Sequence, residues 1–563
     1  MKISRRLLLP VLMSALVAFG TFATRTSRHA DEQHASGLAY AQTTTPSYTL
    51  LAWAELGMHC MDGKDYSVFA VLPPYNTLYA KLLIKGSKPV PVTSGVTITY
   101  QAIADAAGSI NTISSTKTNF WNYSYTLFGA QLPPDTGLKL NKTQSLTPHA
   151  LSFDRSKGLW QAEGIPTVPV DNAGKTNAYP MIKVVARNSS GQIIAQTTAV
   201  LAVSDEMTCK TCHASGSNPA ARPAGGWVNY VNDPAKDVKF NILKLHDRHV
   251  IPATMLAELQ TRGYHYKSSL YETTQSLNNP VLCAACHASN ALNAAGLKTG
   301  VTGVPALTAS MHKTHSGVIN PATGTTLDKA TTSAQSCYLC HPGNVTKCQR
   351  GAMRNTNCFE CHGNLSRLGV STRAGWLNEP SCQMCHQNGK QYTTTFTTSD
   401  HGPNGVWRTV NDPRFATNTN VPSTGFNLYR FSKGHGSVEC SGCHGAQHGE
   451  YATNQPNDNV YSQLLQGYAG RVTECTVCHS SVPNTATGGP HGMHSVGSRW
   501  VSAHEEYAEG RTNRQRCAYC HGADFRGTPL SALLVAKTLH GKTFPAGHQI
   551  SCYDCHNGPN GGD

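Results

Sequence analysis

Between residues 42 and 205, apolar and polar positions alternate with the period of two that buries one face of a strand and wets the other. The pattern is plain in SVFAVL (67–72), GVTITYQAIA (95–104) and NFWNYSYTLF (119–128), each expected to be a strand. YPMIKVVARNSSGQIIAQTTAVLAVS (179–204) carries two such runs around NSSGQ, which predicts a hairpin. An antiparallel, sandwich-like all-β domain is expected over 42–205. From 206 to 563 the alternation stops. Loops rich in Gly, Pro, Asn and Ser separate short helical runs such as IPATMLAELQTRG (251–263) and PLSALLVAKTLHG (529–541). The expected architecture is a β domain followed by a loop-rich, mainly irregular domain with short helices.

The first residues follow a different pattern. MKISRRLLLPVLMSALVAFGTFA has a basic start (Lys2, Arg5, Arg6) and an apolar run from Leu7 to Phe22, the form of an export signal. Pro10 and Gly20 interrupt the run, which disfavours a retained anchor. Cleavage is expected at Ala23 or after AYA (39–41), so residues 1–41 are assigned to signal peptide and leader. Arg5-Arg6 resembles a twin-arginine signal, but cofactors added after export favour the general route. The first cysteine is Cys60, so no N-terminal cysteine is available for lipidation. No later stretch is apolar enough to span a bilayer. The mature chain is expected to be exported, with no transmembrane segment, to the periplasm, the cell surface or the medium.

Cysteine spacing supplies the candidate chemistry. Nine segments read C-x-x-C-H, using eighteen of the twenty cysteines. They pair Cys209 with Cys212, Cys283 with Cys286, Cys337 with Cys340, Cys358 with Cys361, and Cys382 with Cys385. The others pair Cys440 with Cys443, Cys475 with Cys478, Cys517 with Cys520, and Cys552 with Cys555. Each is followed by a histidine: His213, His287, His341, His362, His386, His444, His479, His521 and His556. This is the attachment pattern of c-type haem. The thiols bond the vinyl groups, and the histidine is held beneath the iron as the proximal ligand. Zinc ribbons pair CxxC with CxxC and have no use for that histidine. Nine covalent haems c are expected, and no catalytic residue is assigned. Cys60 and Cys348 are left over, as a disulfide or as two buried free thiols.

Nine irons leave nine distal positions. Of 26 histidines, nine are proximal and His29 and His34 fall in the leader, so fifteen remain. Three pairs recur as H-x-x-H: His246 and His249, His312 and His315, His491 and His494. On a helical turn such residues lie side by side. They are too close to serve distant irons, and both cannot sit distal on one haem, so each pair is expected to serve two neighbouring haems. No acidic residue stands at the spacing of a helical zinc site. His435, His448 and His504 complete nine distal candidates, with His540, His548 and His401 in reserve. His59, His149 and His265 are ligands, structural residues or bystanders. Methionine ligation is the alternative, but no Met recurs in a fixed relation to the motifs.

About 40 residues per haem is too little chain for a self-sufficient apolar core, so the macrocycles are expected to supply it. The motifs at 337, 358 and 382 are the most crowded and should form the tightest cluster. Charge needs a correction for the cofactor. The formal +14 falls to +11 without residues 1–41, which hold five Lys/Arg and two Asp/Glu. Each bis-histidine haem adds about −1 when ferric and about −2 when ferrous, giving roughly +2 oxidised and roughly −7 reduced. The basic residues are then mostly propionate partners, and a nucleic-acid partner is not expected.

With those motifs in place, the chain resembles the large multihaem c-type cytochromes of metal-reducing bacteria. The resemblance is carried by LGMHCMD…DYSVFAVLPPYNTLYA (56–80), LHDRH, PVLCAACHASNAL, CHPGNVTKCQRGAM, YRFSKGHGSVECSGCHG, GGPHGMHSVGSRWVSAH and CYDCHNGP, and covers nearly the whole mature chain. It implies electron transfer outside the inner membrane, in extracellular respiration of metal oxides or electrodes. Periplasmic or outer-membrane cytochromes and insoluble acceptors are the implied partners. Tyr468 in QGYAG stands where the family pattern has a histidine, which puts one haem's ligand in doubt. Two other functions compete with a conduit. A multihaem reductase of a nitrogen or sulfur oxyanion needs an open iron position. A homopolymeric filament needs a spare histidine to ligate a neighbour's iron. The β domain would otherwise dock an outer-membrane partner or a mineral surface.

Overall fold

The strand YTLLAWA (Tyr48–Ala54) is apolar almost throughout, and the fold explains why it does not alternate. Leu50, Ala52 and Ala54 point into the core between two sheets. Leu51 and Trp53 point the other way, into a cluster with Tyr461, Phe431 and Cys478 from the second half of the chain. Both faces are buried, so both are apolar. The structure is a computed structural model and describes residues 48–294, 296–371, 386–387, 390–391 and 429–560. The leader assigned to 1–41, Cys382, Cys385, the side chain of His386, and His401 lie outside the described residues.

Two antiparallel sheets make up the β half. One runs Tyr48–Ala54, Tyr75–Ile84, Leu159–Pro166, Ser152–Asp154, with Val90–Pro91 also paired to Tyr75–Ile84. The other runs Ile193–Val200, Met181–Asn188, Val96–Ala102, His149–Ala150. They share a core of Leu50, Leu78, Leu82, Ile98, Tyr100, Ile182, Val184 and Leu201. The hairpin at NSSGQ is present. Asn188 Oδ1 accepts from the Ser190 and Gln192 amides, and Gly191 takes a positive φ of 80°.

Three expected elements are different. NFWNYSYTLF is an α-helix, Phe120–Phe128, not a strand. Its buried residues, Phe120, Ser124, Leu127 and Phe128, keep the helical period, and Phe120 packs edge-on against Tyr66 with centroids 5.3 Å apart. SVFAVL contributes a strand of only two residues, Phe69–Ala70. PLSALLVAKTLHG is not a helix either. After a single 3-10 turn, Pro529–Ser531, it becomes one arm of a hairpin pairing Lys537–Leu539 with Lys542–Phe544. His540 and Gly541 form its two-residue loop, both at positive φ (48° and 74°), the geometry that matches strand twist. Ala253–Gln260 is helical.

The change of composition near 205 does not divide the packing. Pro46–Asp563 forms one compact unit. A single apolar cluster joins Met61, Tyr66, Phe120 and Leu127 to Phe240, Leu259, Leu270 and Ala285. Short parallel pairings cross the junction, Val281–Leu282 on Phe69–Ala70 among them. Buried ion pairs do the same. Arg350 grips Asp458 (Nε to Oδ2 2.6 Å), and its Nη1 donates to the Gly57 carbonyl at 2.6 Å. Lys81 pairs with Glu439 at 2.8 Å, one residue before a C-x-x-C-H segment.

Candidate functional site

The C-x-x-C-H segments are short turns of helix: Cys358–His362 and Cys440–His444 in α form, Cys337–Leu339, Cys475–Val477 and Cys552–Asp554 in 3-10 form. One turn brings residues three apart onto one face, so both thiols and the following imidazole gather on one side. The histidine amide closes the turn onto the first cysteine's carbonyl. The distance is 3.1 Å for His213, 3.0 Å for His287, 2.8 Å for His341 and His479, and 3.2 Å for His556. Neighbouring carboxylates hold the loops that follow. Glu206 accepts the Gly343, Val345 and Thr346 amides, and Asp237 takes Ser215 through amide and hydroxyl.

Each of the eight described motif histidines faces a second histidine from elsewhere in the chain. The ring-centre distances are 6.4 Å for His213 and His315, 6.5 Å for His287 and His246, and 6.2 Å for His341 and His312. They are 5.9 Å for His362 and His448, 5.9 Å for His444 and His491, and 6.0 Å for His479 and His435. His521 and His494 stand 6.2 Å apart, and His556 and His504 6.0 Å. Such rings are too far apart to touch and too regular to be accidental neighbours. Two metal–imidazole bonds of about 2 Å, plus the offset of each nitrogen from its ring centre, put the centres roughly 6 Å apart.

Backbone hydrogen bonds fix the tautomer of eight of these rings. Nδ1 donates to a backbone carbonyl in His287 (Pro305, 2.9 Å), His312 (Thr308, 2.7 Å), His315 (Met311, 2.7 Å) and His479 (Ser87, 2.9 Å). The same holds for His494 (Ser495, 2.8 Å), His504 (Val501, 2.7 Å), His521 (Ile550, 2.7 Å) and His556 (Gly558, 2.8 Å). With the proton on Nδ1, the lone pair lies on Nε2. Burial, then the charge of its partner His315, lowers His213 to about 4. Burial lowers His494 to about 4, and His341, open to the cavity, is also held below the usual imidazole range by the surrounding protein. His213, His341 and His494 are therefore neutral at pH 7, as metal ligation would require.

The H-x-x-H pairs divide between partners. His312 and His315, on the helix Leu307–Ser316, face His341 and His213. His491 and His494 face His444 and His521, but not from one helical turn. His491 sits at φ 59°, and a 3-10 turn ends at Gly492. His246 closes the helix Pro234–His246 and faces His287, while the exposed His249 stands 6.1 Å from His246 and faces no motif histidine among the described residues.

The other histidines have different surroundings. His548 pairs with Asp554 at 3.0 Å, His149 with the Ser145 hydroxyl at 3.0 Å, and His540 forms the hairpin loop. His59 is buried against Tyr75, with Glu55 4.0 Å away, and His265 is exposed. Tyr468 faces no histidine among the described residues. Its hydroxyl bonds Glu474 (2.7 Å) and Thr473 (2.8 Å), and His435 stands opposite His479. Cys60 and Cys348 form no disulfide. Both are free thiols, and Cys348 Sγ is turned to His448 Nδ1 at 3.7 Å.

The segments adjoin in a definite order. The charges of Cys340 and Cys283 help burial to raise the Cys209 thiol, Cys337 and Cys358 share a hydrogen bond, and Cys443 lies in the field of Cys478. The Cys552 thiol feels Cys517. One continuous cavity of about 2360 Å³ runs past these groups, lined by Cys209, Cys337, Cys358, Cys440, Cys475 and Cys552 among others. Among the described residues no three or more His, Cys, Asp or Glu side chains converge as a small metal ion requires. A haem iron takes two side-chain ligands, so facing pairs, flanking thiols and a long cavity fit that group. Backbone carbonyl partners of the imidazoles escape sequence reasoning because every residue has one. Comparison with known proteins returns no matching family, no matching curated protein and no matching solved structure.

Proposed function

We propose that the chain is an exported electron-transfer protein that binds nine c-type haems through its C-x-x-C-H segments. The observation that carries this reading is the set of eight histidine pairs, each joining a motif histidine to a distant one at 5.9–6.5 Å. Bound haem would supply reversible one-electron chemistry at iron. The cysteines would tether it at two points. His213, His287, His341, His362, His386, His444, His479, His521 and His556 would hold one axial position. His315, His246, His312, His448, His491, His435, His494 and His504 would hold the other at the eight described motifs. Filling both positions would keep substrate off the iron, which favours a conduit over a reductase.

Contacts between segments support a relay order by first cysteine: 283, 209, 337, 358, 440, 517 and 552, with 475 beside 440. His312–His315 tie 337 to 209, and His491–His494 tie 440 to 517. His444 and His448 lie on one short loop and tie 440 to 358. Other cytochromes and insoluble acceptors outside the inner membrane are the proposed partners. No helix of the described residues is long and apolar enough to cross a membrane. The test is a haem count and a spin-state assay on protein secreted by a host with haem-attachment machinery. Nine haems per chain and an all-low-spin ferric spectrum are expected. A high-spin fraction that binds nitrite or sulfite on reduction would replace the conduit with a reductase, and a chain without haem would end the proposal.

A further inference from the structure

His448 shares a positive φ with His491, but a thiol stands beside its ring. It occupies the left-handed region at φ 66°, unfavourable for a side chain with a Cβ, so its loop must be held from outside. The segment 348–351 does this. The Arg350 and Gly351 amides donate to the His448 carbonyl at 2.8 and 3.1 Å, and Glu450 Oε1 accepts the His448 amide at 2.7 Å. On the other side a Cβ on Gly57 would collide with the Gln447 carbonyl, so glycine there lets the two backbones touch. The clamp leaves the ring with Cys348 Sγ 3.7 Å from Nδ1. Eight other rings give that proton to a carbonyl at 2.7–2.9 Å.

We propose that Cys348 is a positioning residue that sets the donor strength of His448, and through it the potential of the haem at Cys358–His362. The inference rests on the bis-histidine haem reading above. With Nε2 turned to iron, Nδ1 carries the proton and donates it to sulfur. A thiol is a weak acceptor, so it draws less on that proton than a carbonyl does and leaves the imidazole less basic. A less basic axial ligand stabilises ferric iron less, so this haem has a higher potential than a carbonyl partner would give. It also lies in the middle of the relay order, between 337 and 440. A higher potential there makes it a resting place for an electron and not merely a step.

The experiment is a redox titration of the full holoprotein, followed by electron paramagnetic resonance, for wild type, Cys348→Ser and Cys348→Ala. His448→Met marks the haem concerned through its altered low-spin signal. Cys348→Ser offers an oxygen acceptor and should move that one midpoint to lower potential. Cys348→Ala offers none and should move it upward, with all haems still low-spin and the other midpoints unchanged. Shifts of opposite sign are not expected from general loosening of the loop. Unchanged midpoints in both variants, or shifts in the same direction, would overturn the proposal. So would a Cys60–Cys348 disulfide in a non-reducing peptide map. The titration outcomes require haem to be bound, so they are distinct from failure of the haem reading itself.

Discussion

At the scale of residues, one helical turn at 312–315 is asked to serve two sites. His312 and His315 face His341 and His213, and each gives its Nδ1 proton to a carbonyl of its own helix, so their directions are set together. His312→Ala and His315→Ala should each turn one haem of nine high-spin and disturb the signal of its neighbour, read by low-temperature resonance spectra. If both variants stay wholly low-spin, the shared turn does not ligate. His59 makes a separate prediction. Burial, reinforced by the nearby Arg430 charge, lowers it to about 3, against about 6.5 in an unfolded chain. Below pH 6.5 the unfolded state therefore binds a proton that the folded state refuses. Its contribution is neutral above pH 6.5 and destabilises as pH falls toward 3, by roughly 1.4 kcal/mol per unit. His59→Gln should flatten the loss of melting temperature between pH 7 and pH 4.5. An unchanged slope would show that the acid sensitivity lies elsewhere.

Among the elements, the helix Phe120–Phe128 carries the clearest lesson. Its sequence alternates well enough to read as a strand, yet Phe120, Leu127 and Phe128 meet the core only through a helical turn. Aromatic residues at close spacing satisfy both periods, and the neighbour they pack on decides between them. Phe120→Ala should cost about 3–5 kcal/mol by opening a cavity beside Tyr66, measured as a fall in the denaturation midpoint of the holoprotein. The stretch 529–541 fails for a related reason. Leu and Ala favour a helix locally, but the two positive-φ residues His540 and Gly541 turn the chain back, burying Leu539 and Phe544. The His-Gly pair is the turn signal that the sequence carries here.

For the whole molecule, the two compositional halves are held together by buried contacts. Arg350 joins Asp458, the Gly57 carbonyl and the face of Tyr179, 5.1 Å from its ring centre. Arg350→Met should cost about 3–5 kcal/mol, since Asp458 is left buried without its counter-charge. Arg350→Met with Asp458→Asn should recover much of that loss, and failure to recover would point to the Gly57 contact instead. On the proposed reading, haem supply should act on the halves unequally. Among the described residues, the core between the sheets is built from residues within 50–201, whereas the later motifs line a long cavity. Chain made without haem attachment should keep a protease-resistant fragment near 48–204 and lose the rest to limited proteolysis. Equal resistance of both halves would refute the idea that the later half needs its cofactor to fold.

The sequence by itself determined the motif positions, the β character of the first half and a short list of candidate distal histidines, because covalent spacing and strand period are local properties. The partner of each described motif histidine lies tens of residues away, and about a hundred away for His213 and His315. The structure decided those pairs, the order of the segments and the thiol at Cys348. It also decided that Tyr468 hydrogen-bonds Glu474 while His435 stands opposite His479. Facing rings, shared carbonyls and burial arise only when distant backbones are packed together, and no local pattern in the chain records which of them meet.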